Sequence, residues 1–375
     1  MTHLSDGRRP LRVAVDGTPL LGNRTGVGHV TAELLRSLAT RPDIAPVAYA
    51  VTWRGRAELQ RALPRGVDSA TALFPARLTR ELWPRIPFPR VEWWTGRVDV
   101  VHGTNFVGPP ARAPVIVTVH DLTFARLPEL CTADALQYPR LIERAIDRGA
   151  TIHVVSDFVG DEVRAEFGLP ETRVVRVYPG LGVAAGGDPS RGRASAGRDR
   201  YVLALGAIEP RKNLPVLVRA FDQLATRDPE VALVVAGPDG WGVREFGAAC
   251  AAARHHERIH RLGYVTDEAR LDLLAGASVF AYPSIYEGFG HPPLEAMTNG
   301  VPVVASRAGA LPEVLGDAAR LVDPHDERAL ADALAVLLTD DRERAELVER
   351  GKTRAASFSW ELAGDEFVRM YRSVT

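Results

Sequence analysis

The chain has 375 residues, of which 46% are hydrophobic and 25% charged, and its formal net charge is -1. That length exceeds what one hydrophobic core usually organises, so we expect two domains. A nearly neutral chain has no overall attraction for nucleic acid, and we expect no nucleic-acid partner. The two cysteines, Cys131 and Cys250, lie in opposite halves without metal-ligand spacing, which argues against a disulfide framework or a zinc site.

The first ten residues, MTHLSDGRRP, lack the apolar centre of a signal peptide. No stretch approaches the roughly 18 consecutive apolar residues that a membrane-spanning helix needs. We therefore expect a cytoplasmic protein whose contact with a membrane can only be peripheral.

Short β-branched apolar runs alternate with helical patterns along the whole chain. The first half has such runs at 11–16, 47–52, 98–102, 114–120, 151–156 and 173–178. The second half has them at 201–206, 231–237, 258–265, 278–284, 301–306 and 319–323. This alternation predicts the α/β class, with two parallel sheets covered by helices.

Residues 184–200 form the longest Gly/Ser/Arg-rich stretch without apolar periodicity, which indicates an exposed linker at the domain boundary. Beyond residue 326 the pattern is helical, and Ser359 is the expected N-cap of the last helix. Open α/β sheets bind ligands at the carboxyl ends of their strands, so the loops that follow strands are where functional residues are expected.

The loop after the first strand, 22–28, is rich in glycine and precedes a helical pattern. It fits either a phosphate held at a helix N-terminus or a tight strand-to-helix turn, and the loop alone does not decide between them. The loop does not match the Gly-x-Gly-x-x-Gly fingerprint of dinucleotide-binding domains, because Thr31 occupies the position of the third glycine. The second strand also ends at 52–53 (Thr-Trp) without the acid that binds an NAD ribose, which disfavours a dehydrogenase.

In the second half, the first strand leads into the loop 206–213, where Arg211 and Lys212 are adjacent. Two cations in a strand-to-helix loop suit a diphosphate leaving group. The alternative is a pair of solvated basic residues, which the loop in isolation favours.

The segment 287–295 is the most informative one, because it places Glu287 in a glycine-rich loop and Glu295 near the start of the next helix. Two prolines suit the first helical turn, and the glycines free the preceding backbone to direct its amides toward an anion. Both carboxylates can accept hydrogen bonds from sugar hydroxyls in one crevice. The segment therefore predicts a binding site for a sugar.

Five segments together resemble the retaining family 4 glycosyltransferases of GT-B fold. They are 25–28 and 119–123 in the first half and 206–213, 287–295 and 301–324 in the second. The resemblance implies two Rossmann-like domains whose parallel sheets face each other across an interdomain cleft. It implies an acceptor-binding domain over 1–186, a donor-binding domain over 187–358, and a last helix, 359–375, that packs back on the first domain.

The resemblance also implies site residues. Arg211 and Lys212 would neutralise the donor diphosphate, Glu287 would face the donor sugar, and His120 would lie beside the reacting centre. These four are the predicted catalytic residues, although His120 could instead be a strand-end histidine bonded to the backbone. The predicted nucleotide-binding residues are Gly26, Gly28, Gly206, Phe289, Gly290 and Glu295.

Within that second set, the amide of Gly26 would approach the diphosphate, and the amides of Phe289 and Gly290 would steady the sugar-phosphate. Glu295 would hold the ribose. The chain departs from the family at Ala207, where many relatives carry an arginine, and Arg211 is a candidate substitute. It also departs at His291, where an apolar residue is commoner.

No Asp-x-Asp occurs in the chain, so we expect no metal site, no cofactor, and a donor diphosphate held by cations and helix N-termini. The resemblance is greatest to mannosyltransferase-type members, which favours GDP-mannose as the donor over a UDP-sugar. It implies retention of anomeric configuration and leaves the acceptor unidentified: a glycan, a lipid-linked or a small-molecule acceptor. The rival functions are a GT-B nucleotide-sugar epimerase and a non-catalytic two-lobed sugar-binding protein.

Residues 74–97 combine five arginines with several aromatic residues. Such a composition suits a membrane interface, so weak peripheral contact at the inner face of a membrane is one interpretation. The other is a packed helix and loop that shapes the acceptor side of the cleft. Glu81 and Glu92 interrupt the positive charge and favour the second interpretation.

Overall fold

The computed structural model describes residues 9–22, 26–52, 54–72, 79, 82–83, 85–182 and 185–375. The chain divides into two compact units, Met1–Gly182 with Ser359–Thr375, and Val183–Phe358. The boundary predicted from the sequence, between residues 186 and 187, lies close to this division.

The first unit contains a parallel sheet of seven strands in the order β3-β2-β1-β4-β5-β6-β7. The strands are β1 (Leu11–Asp16), β2 (Ile44–Val51), β3 (Asp68–Ala72), β4 (Val100–Gly103), β5 (Val115–Val119), β6 (Thr151–Val154) and β7 (Val174–Arg176). The sequence predicted all of these except β3. Its sequence, DSATA, has no apolar alternation, and it pairs only at the edge of the sheet, where Asp68 and Ser69 are exposed.

The helices of the first unit that lie wholly within the described ranges and precede the domain boundary come next in chain order. They are α1 (Gly26–Ala39), α2 (Arg56–Ala62), α3 (Glu92–Thr95), α4 (Thr123–Arg126), α5 (Tyr138–Asp147) and α6 (Asp157–Phe167). The helix α1 buries Thr31, Leu34 and Leu38, whose spacing of three and four residues puts them on one face.

The second unit contains a parallel sheet of six strands in the order β10-β9-β8-β11-β12-β13. The strands are β8 (Tyr201–Leu205), β9 (Ala232–Ala236), β10 (Ile259–Gly263), β11 (Val279–Tyr282), β12 (Val303–Ser306) and β13 (Arg320–Val322). All six were predicted from the sequence.

The helices of the second unit begin with α7 (Pro189–Ala196) and α8 (Leu214–Arg227). Those that follow are α9 (Val243–Ala252), α10 (Asp267–Gly276), α11 (His291–Thr298), α12 (Leu311–Leu315), α13 (Glu327–Thr339) and α14 (Asp341–Ala356). The core between sheet and helices includes Leu217, Phe221, Leu233 and Leu334, all fully buried. Each such side chain contributes about 1.5–3 kcal/mol relative to exposure.

The predicted exposed linker at 184–200 is wrong for its middle, which is the helix α7. The side chain of Asp188 caps this helix by accepting from the backbone N–H of Ser190 at 2.8 Å. Gly192 lies against the backbone of Asp272 on α10, where a Cβ atom would overlap the Asp272 carbonyl. Contact through a residue without a side chain leaves no apolar periodicity in the sequence, which is why the helix was missed.

The last helix, α15 (Trp360–Ser373), belongs to the first unit and packs on α1. Ser359 is its N-cap, because the Ser359 hydroxyl accepts from the backbone N–H of Leu362 at 3.2 Å. The hydroxyl of Ser37 on α1 donates to the carbonyl of Trp360 at 3.1 Å.

A buried polar network, missed from the sequence, ties α15 to the first sheet. His153 Nε2 lies 3.2 Å from the Val177 carbonyl, His153 Nδ1 2.8 Å from the Thr118 hydroxyl, and that hydroxyl 2.7 Å from His102 Nε2. His102 Nδ1 lies 2.9 Å from the Tyr371 hydroxyl. A carbonyl can only accept, so His153 carries its proton on Nε2 and its Nδ1 accepts from the Thr118 hydroxyl. The oxygen of that hydroxyl then accepts from His102 Nε2, and His102 Nδ1 accepts from the Tyr371 hydroxyl. Both histidines are neutral in this arrangement.

Candidate active site

Two loops at the carboxyl edge of the second sheet bring together the cations and the first carboxylate of the predicted site. Glu287 Oε1 lies 2.7 Å from Lys212 Nζ, and Glu287 Oε2 lies 2.7 Å from Arg211 Nη1. One carboxylate therefore bridges both cations. The contact is possible because these loops follow β8 and β11, which are neighbours in the sheet.

Asn213 fixes the turn that presents the two cations. It adopts a left-handed conformation with φ of 55° between the short helical turn at 210–212 and the start of α8. Its side-chain amide donates to the carbonyls of Pro283 at 3.1 Å and Pro324 at 2.7 Å. Asparagine is one of the few non-glycine residues that accepts this conformation readily.

Tyr282 forms the floor beneath Lys212. The Lys212 ammonium donates to the Tyr282 hydroxyl at 2.6 Å and lies 4.7 Å from the centroid of the ring. With Glu287 this uses two of the three ammonium donors. Burial lowers the pKa of Lys212 from its ordinary value, against the opposing attraction of Glu287.

The charge on Glu287 is set by its two partners. Burial, which leaves the residue 6% exposed, would raise its pKa, but the charges of Arg211 and Lys212 hold that pKa at about 2. Glu287 is therefore a carboxylate at neutral pH. It cannot serve as a general acid there, and it can act as an anchor for the cations or as an acceptor of hydrogen bonds.

The second carboxylate, Glu295, lies on α11 and forms an ion pair with Arg270 of α10. Burial raises the pKa of Glu295 to about 7 even though the charge of Arg270 lowers it. The contact favours the carboxylate form and the burial favours the acid, so the side chain is balanced between the two near neutral pH.

The glycine-rich loop between the two carboxylates is held by close backbone contacts. Gly290 has a φ of 107° at the position that starts α11, a conformation that favours glycine. The carbonyl of Glu287 accepts from the backbone N–H of Ala310 at 2.8 Å. Phe289 is buried, with its ring centroid 4.9 Å from that of His291. His291 thus packs on the loop as an aromatic ring.

Gly206 and Ala207 line a small pocket with Lys212, Tyr282 and Ser284. Gly206 has a φ of 141°, and a Cβ there would lie 3.6 Å from the Lys212 side chain. Ala207 carries no charge, and Arg211 stands beside Lys212 as the second cation in contact with Glu287.

In the first unit, the loops after β1, β4 and β5 are joined by hydrogen bonds. His120 Nε2 donates to the carbonyl of Thr104 at 2.8 Å, and the Thr104 hydroxyl donates to the carbonyl of Asp16 at 2.9 Å. The alternative interpretation of His120 was a strand-end histidine bonded to the backbone, and this hydrogen bond to a backbone carbonyl is present. It fixes the proton on Nε2, and burial lowers the pKa of the ring, so His120 presents a neutral imidazole.

Gly26 is the first residue of α1, and no atom of the described residues outside its chain neighbours and its own helix backbone lies within 4 Å of where its Cβ would be. Gly28 is buried within the helix. Thr25 of the same motif lies outside the described residues.

The chain matches two family descriptions in succession. Residues 24–184 match "Glycosyltransferase Family 4", and residues 190–354 match "Glycosyl transferases group 1". It is 33% identical over 303 residues to the O-antigen chain mannosyltransferase B of Escherichia coli, which covers 77% of this chain and 78% of the relative. The chain belongs to the family 4 glycosyltransferases.

A second relative is the MMP alpha-(1->4)-mannosyltransferase of Mycolicibacterium hassiacum, 31% identical over 301 residues, with 74% of this chain and 71% of the relative covered. Among solved structures, Anabaena Alr3699/HepE in complex with UDP and glucose matches with a TM-score of 0.73 at 17% identity, over 97% of this chain and 100% of that one. WaaG, a glycosyltransferase involved in lipopolysaccharide biosynthesis, matches with a TM-score of 0.71 at 16% identity, over 97% and 99%. These structures confirm the GT-B fold.

Two residues of the glycosyltransferase site were not found from the sequence. Tyr282 lies inside the predicted strand 278–284 and was given no role there, and Arg270 was not singled out. The available signal for Tyr282 was its position at the end of an apolar run, directly before Pro283 and Ser284 and five residues before Glu287. Arg270 gave none, because its partner Glu295 is 25 residues away along the chain.

The described part of segment 74–97 packs against both edges of the first sheet, because Trp83 contacts Val51 and Ala72 at the carboxyl ends of β2 and β3, whereas the following residues lie at the amino edge. Val91 N–H donates to the Pro110 carbonyl, and Asp99 pairs with Arg12, so 90–99 runs along the starts of β1, β4 and β5. His120 lies at the opposite, carboxyl edge. Packing of the kind that the preferred interpretation expects is present at Trp83 and at 91–97, and a role of the segment in shaping the acceptor side stays a prediction. Residues 73–78, 80–81 and 84 lie outside the described part.

Proposed function

We propose that this glycosyltransferase moves mannose from GDP-mannose to a hydroxyl acceptor, with retention of anomeric configuration and without a divalent ion. The acceptor is a glycan, a lipid-linked or a small-molecule hydroxyl compound. The nucleotide sugar is a substrate, and no separate cofactor takes part. We also propose a cytoplasmic location.

The relatives support mannose as the transferred sugar, since two of them are named mannosyltransferases at 31–33% identity. The complex of HepE with UDP and glucose supports the alternative, a UDP-sugar donor. None of the side chains described above has been assigned a contact with the nucleotide base, so the choice between GDP-mannose and a UDP-sugar depends on these names.

The cluster of Arg211, Lys212 and Glu287 is the main support for this proposal. When the bond from the sugar to phosphate breaks, the electron pair leaves with the diphosphate, whose charge must be stabilised. Two cations held in place by a buried carboxylate supply that stabilisation without reorganisation. The departing phosphate then accepts the proton of the acceptor hydroxyl, whose oxygen bonds to the sugar carbon on the same face.

Glu295 would accept hydrogen bonds from the ribose, and its ion pair with Arg270 holds it at the start of α11. Phe289 and Gly290 would direct their amides at the sugar-phosphate. Gly26 and His120 would contribute from the first unit, Gly26 through its amide and His120 beside the reacting centre.

The test is thermal shift with GDP, UDP, GDP-mannose, UDP-glucose and free mannose, followed by turnover with the stabilising donor. A ligand present at 100 times its Kd stabilises the native state by about 2.7 kcal/mol. Stabilisation by GDP-mannose with release of GDP supports the proposal. Formation of a rearranged nucleotide sugar without acceptor would establish the epimerase instead. Binding of a free sugar without any turnover would establish the binding protein.

A further inference from the structure

A groove of about 800 Å³ lies at the amino edge of the first sheet. Its lining includes Leu11, the first residue of β1, and Pro114, which directly precedes β5. His120 follows the other end of β5, so the groove is separate from the candidate site. Nothing proposed above for catalysis uses it.

Arginines give the groove its charge. Arg90, Arg97 and Arg112 line it, and within the described ranges no carboxylate forms an ion pair with any of their guanidinium groups. The lining holds four arginines, Arg9, Arg90, Arg97 and Arg112, against two acidic side chains, Glu92 and Asp99, and this excess of positive charge favours an anionic partner.

The two acidic side chains of the groove keep their negative charge, but each accepts from donors other than the guanidinium groups of Arg90, Arg97 and Arg112. Glu92 Oε1 accepts from the backbone N–H groups of Ala113, at 3.0 Å, and of Arg112. Asp99 pairs with the guanidinium of Arg9 at 2.6 Å.

Two aromatic side chains stand beside the arginines. Trp93, which lines the groove, is 66% exposed, and Phe88 is 42% exposed. Their rings meet edge to face with centroids 4.7 Å apart. Large aromatic rings exposed next to arginines have the composition of surfaces that lie in the headgroup region of a bilayer.

We propose that this groove and the Phe88–Trp93 pair dock the protein on the surface of an anionic phospholipid bilayer. Headgroup phosphates enter the groove and meet Arg90, Arg97 and Arg112, while the aromatic pair is buried at headgroup level. A soluble anion would satisfy the arginines but leave both rings in water, which is why the chemistry favours a bilayer. The inference is independent of the proposed function.

The experiment is sedimentation of the whole chain with vesicles of phosphatidylcholine alone or of phosphatidylcholine with an equal amount of phosphatidylglycerol. We expect binding to the second kind at about 0.1 M salt and its loss at about 1 M, where the screening length falls from roughly 10 to 3 Å. A parallel sample contains glycerol phosphate at the headgroup concentration.

Two variants test the residues. The triple substitution Arg90→Gln, Arg97→Gln and Arg112→Gln should lower partitioning about a hundredfold, since each surface arginine contributes about a factor of five. Trp93→Ala should lower it about tenfold. The matched control is a triple substitution of exposed arginines outside the groove: Arg54→Gln, Arg65→Gln and Arg254→Gln.

Circular dichroism and melting temperature establish that each variant is folded. Equal binding to both vesicle types, no binding, or an equal loss in the control triple would each overturn the proposal. Displacement by glycerol phosphate together with full binding by Trp93→Ala would show a soluble-anion site and overturn docking on a bilayer. Sedimentation without vesicles would show self-association instead.

Discussion

Tyr282→Phe is the sharpest perturbation of the cation cluster, because it removes one hydroxyl and leaves the ring beneath Lys212. The lost contact is the charge-assisted hydrogen bond from the ammonium, 2.6 Å long. Such bonds contribute about 1.5–3 kcal/mol. Lys212 keeps its 2.7 Å contact with Glu287, so we take the lower end of that range, which corresponds to about tenfold in kcat.

The assay is nucleotide release with saturating acceptor as a function of donor concentration and pH. We expect kcat to fall with little change in KM, because the ammonium acts on charge that develops at the leaving group. Removing an acceptor from the ammonium destabilises its charged form. The alkaline limb of the kcat profile should therefore move to lower pH, an effect that a structural role for Tyr282 would not produce.

Tyr201→Phe is the matched control. Tyr201 is a buried tyrosine of the same unit whose hydroxyl donates to the Leu273 carbonyl at 2.6 Å, at the start of β8 and away from the cluster. Its loss should cost about 1 kcal/mol of stability and leave kcat unchanged. Activity of Tyr282→Phe within twofold of the parent, or an equal loss in both variants, would refute the role of Tyr282.

Three further outcomes are expected. Glu295→Gln should raise donor KM several-fold while Glu287→Gln lowers kcat about tenfold or more, and indistinguishable effects in steady-state kinetics would contradict the two roles. The initial rate in excess EDTA, after metal has been stripped, should equal the rate with added magnesium; a collapse reversed by metal would overturn the metal-independent mechanism. The pKa of His153 is lowered to about 3 by burial, so its neutral form stabilises the fold above the unfolded pKa of about 6.5, and that stability is lost as the pH falls toward 3. From pH 7.5 to 5.0 the wild type should lose about 2 kcal/mol more unfolding free energy in denaturant titrations than His153→Gln does, and parallel curves would contradict this.

The strands could be predicted because buried parallel strands are runs of β-branched residues, which a sequence displays directly. The edge strand β3 and the helix α7 escaped for the opposite reason. One is polar and pairs on one side only, and the other packs through Gly192, so neither shows apolar periodicity.

The cation cluster was predictable in composition but not in arrangement. Glycine and proline around Glu287 indicated a ligand loop, and Arg211 and Lys212 are adjacent in the chain. That one carboxylate bridges both cations depends on the order of β8 and β11 in the sheet, which is a tertiary property. The same holds for Arg270, which reaches Glu295 from a different helix.

The network of His102 and His153 shows the same limit. Each residue stands in an apolar strand, where the sequence indicates only a polar interruption. Their pairing through Thr118 needs three adjacent strands in register, and the partner Tyr371 comes from the end of the chain.

In the proposed reaction, fixed cations of the second unit stabilise the leaving diphosphate of a glycosyl transfer. The most direct test is kcat/KM for GDP-mannose measured with the wild type and with folded Lys212→Ala. We expect turnover by the wild type and a loss of about a hundredfold in the variant, the usual effect of removing one preorganised electrostatic group. Activity of the variant within twofold of the wild type would contradict it.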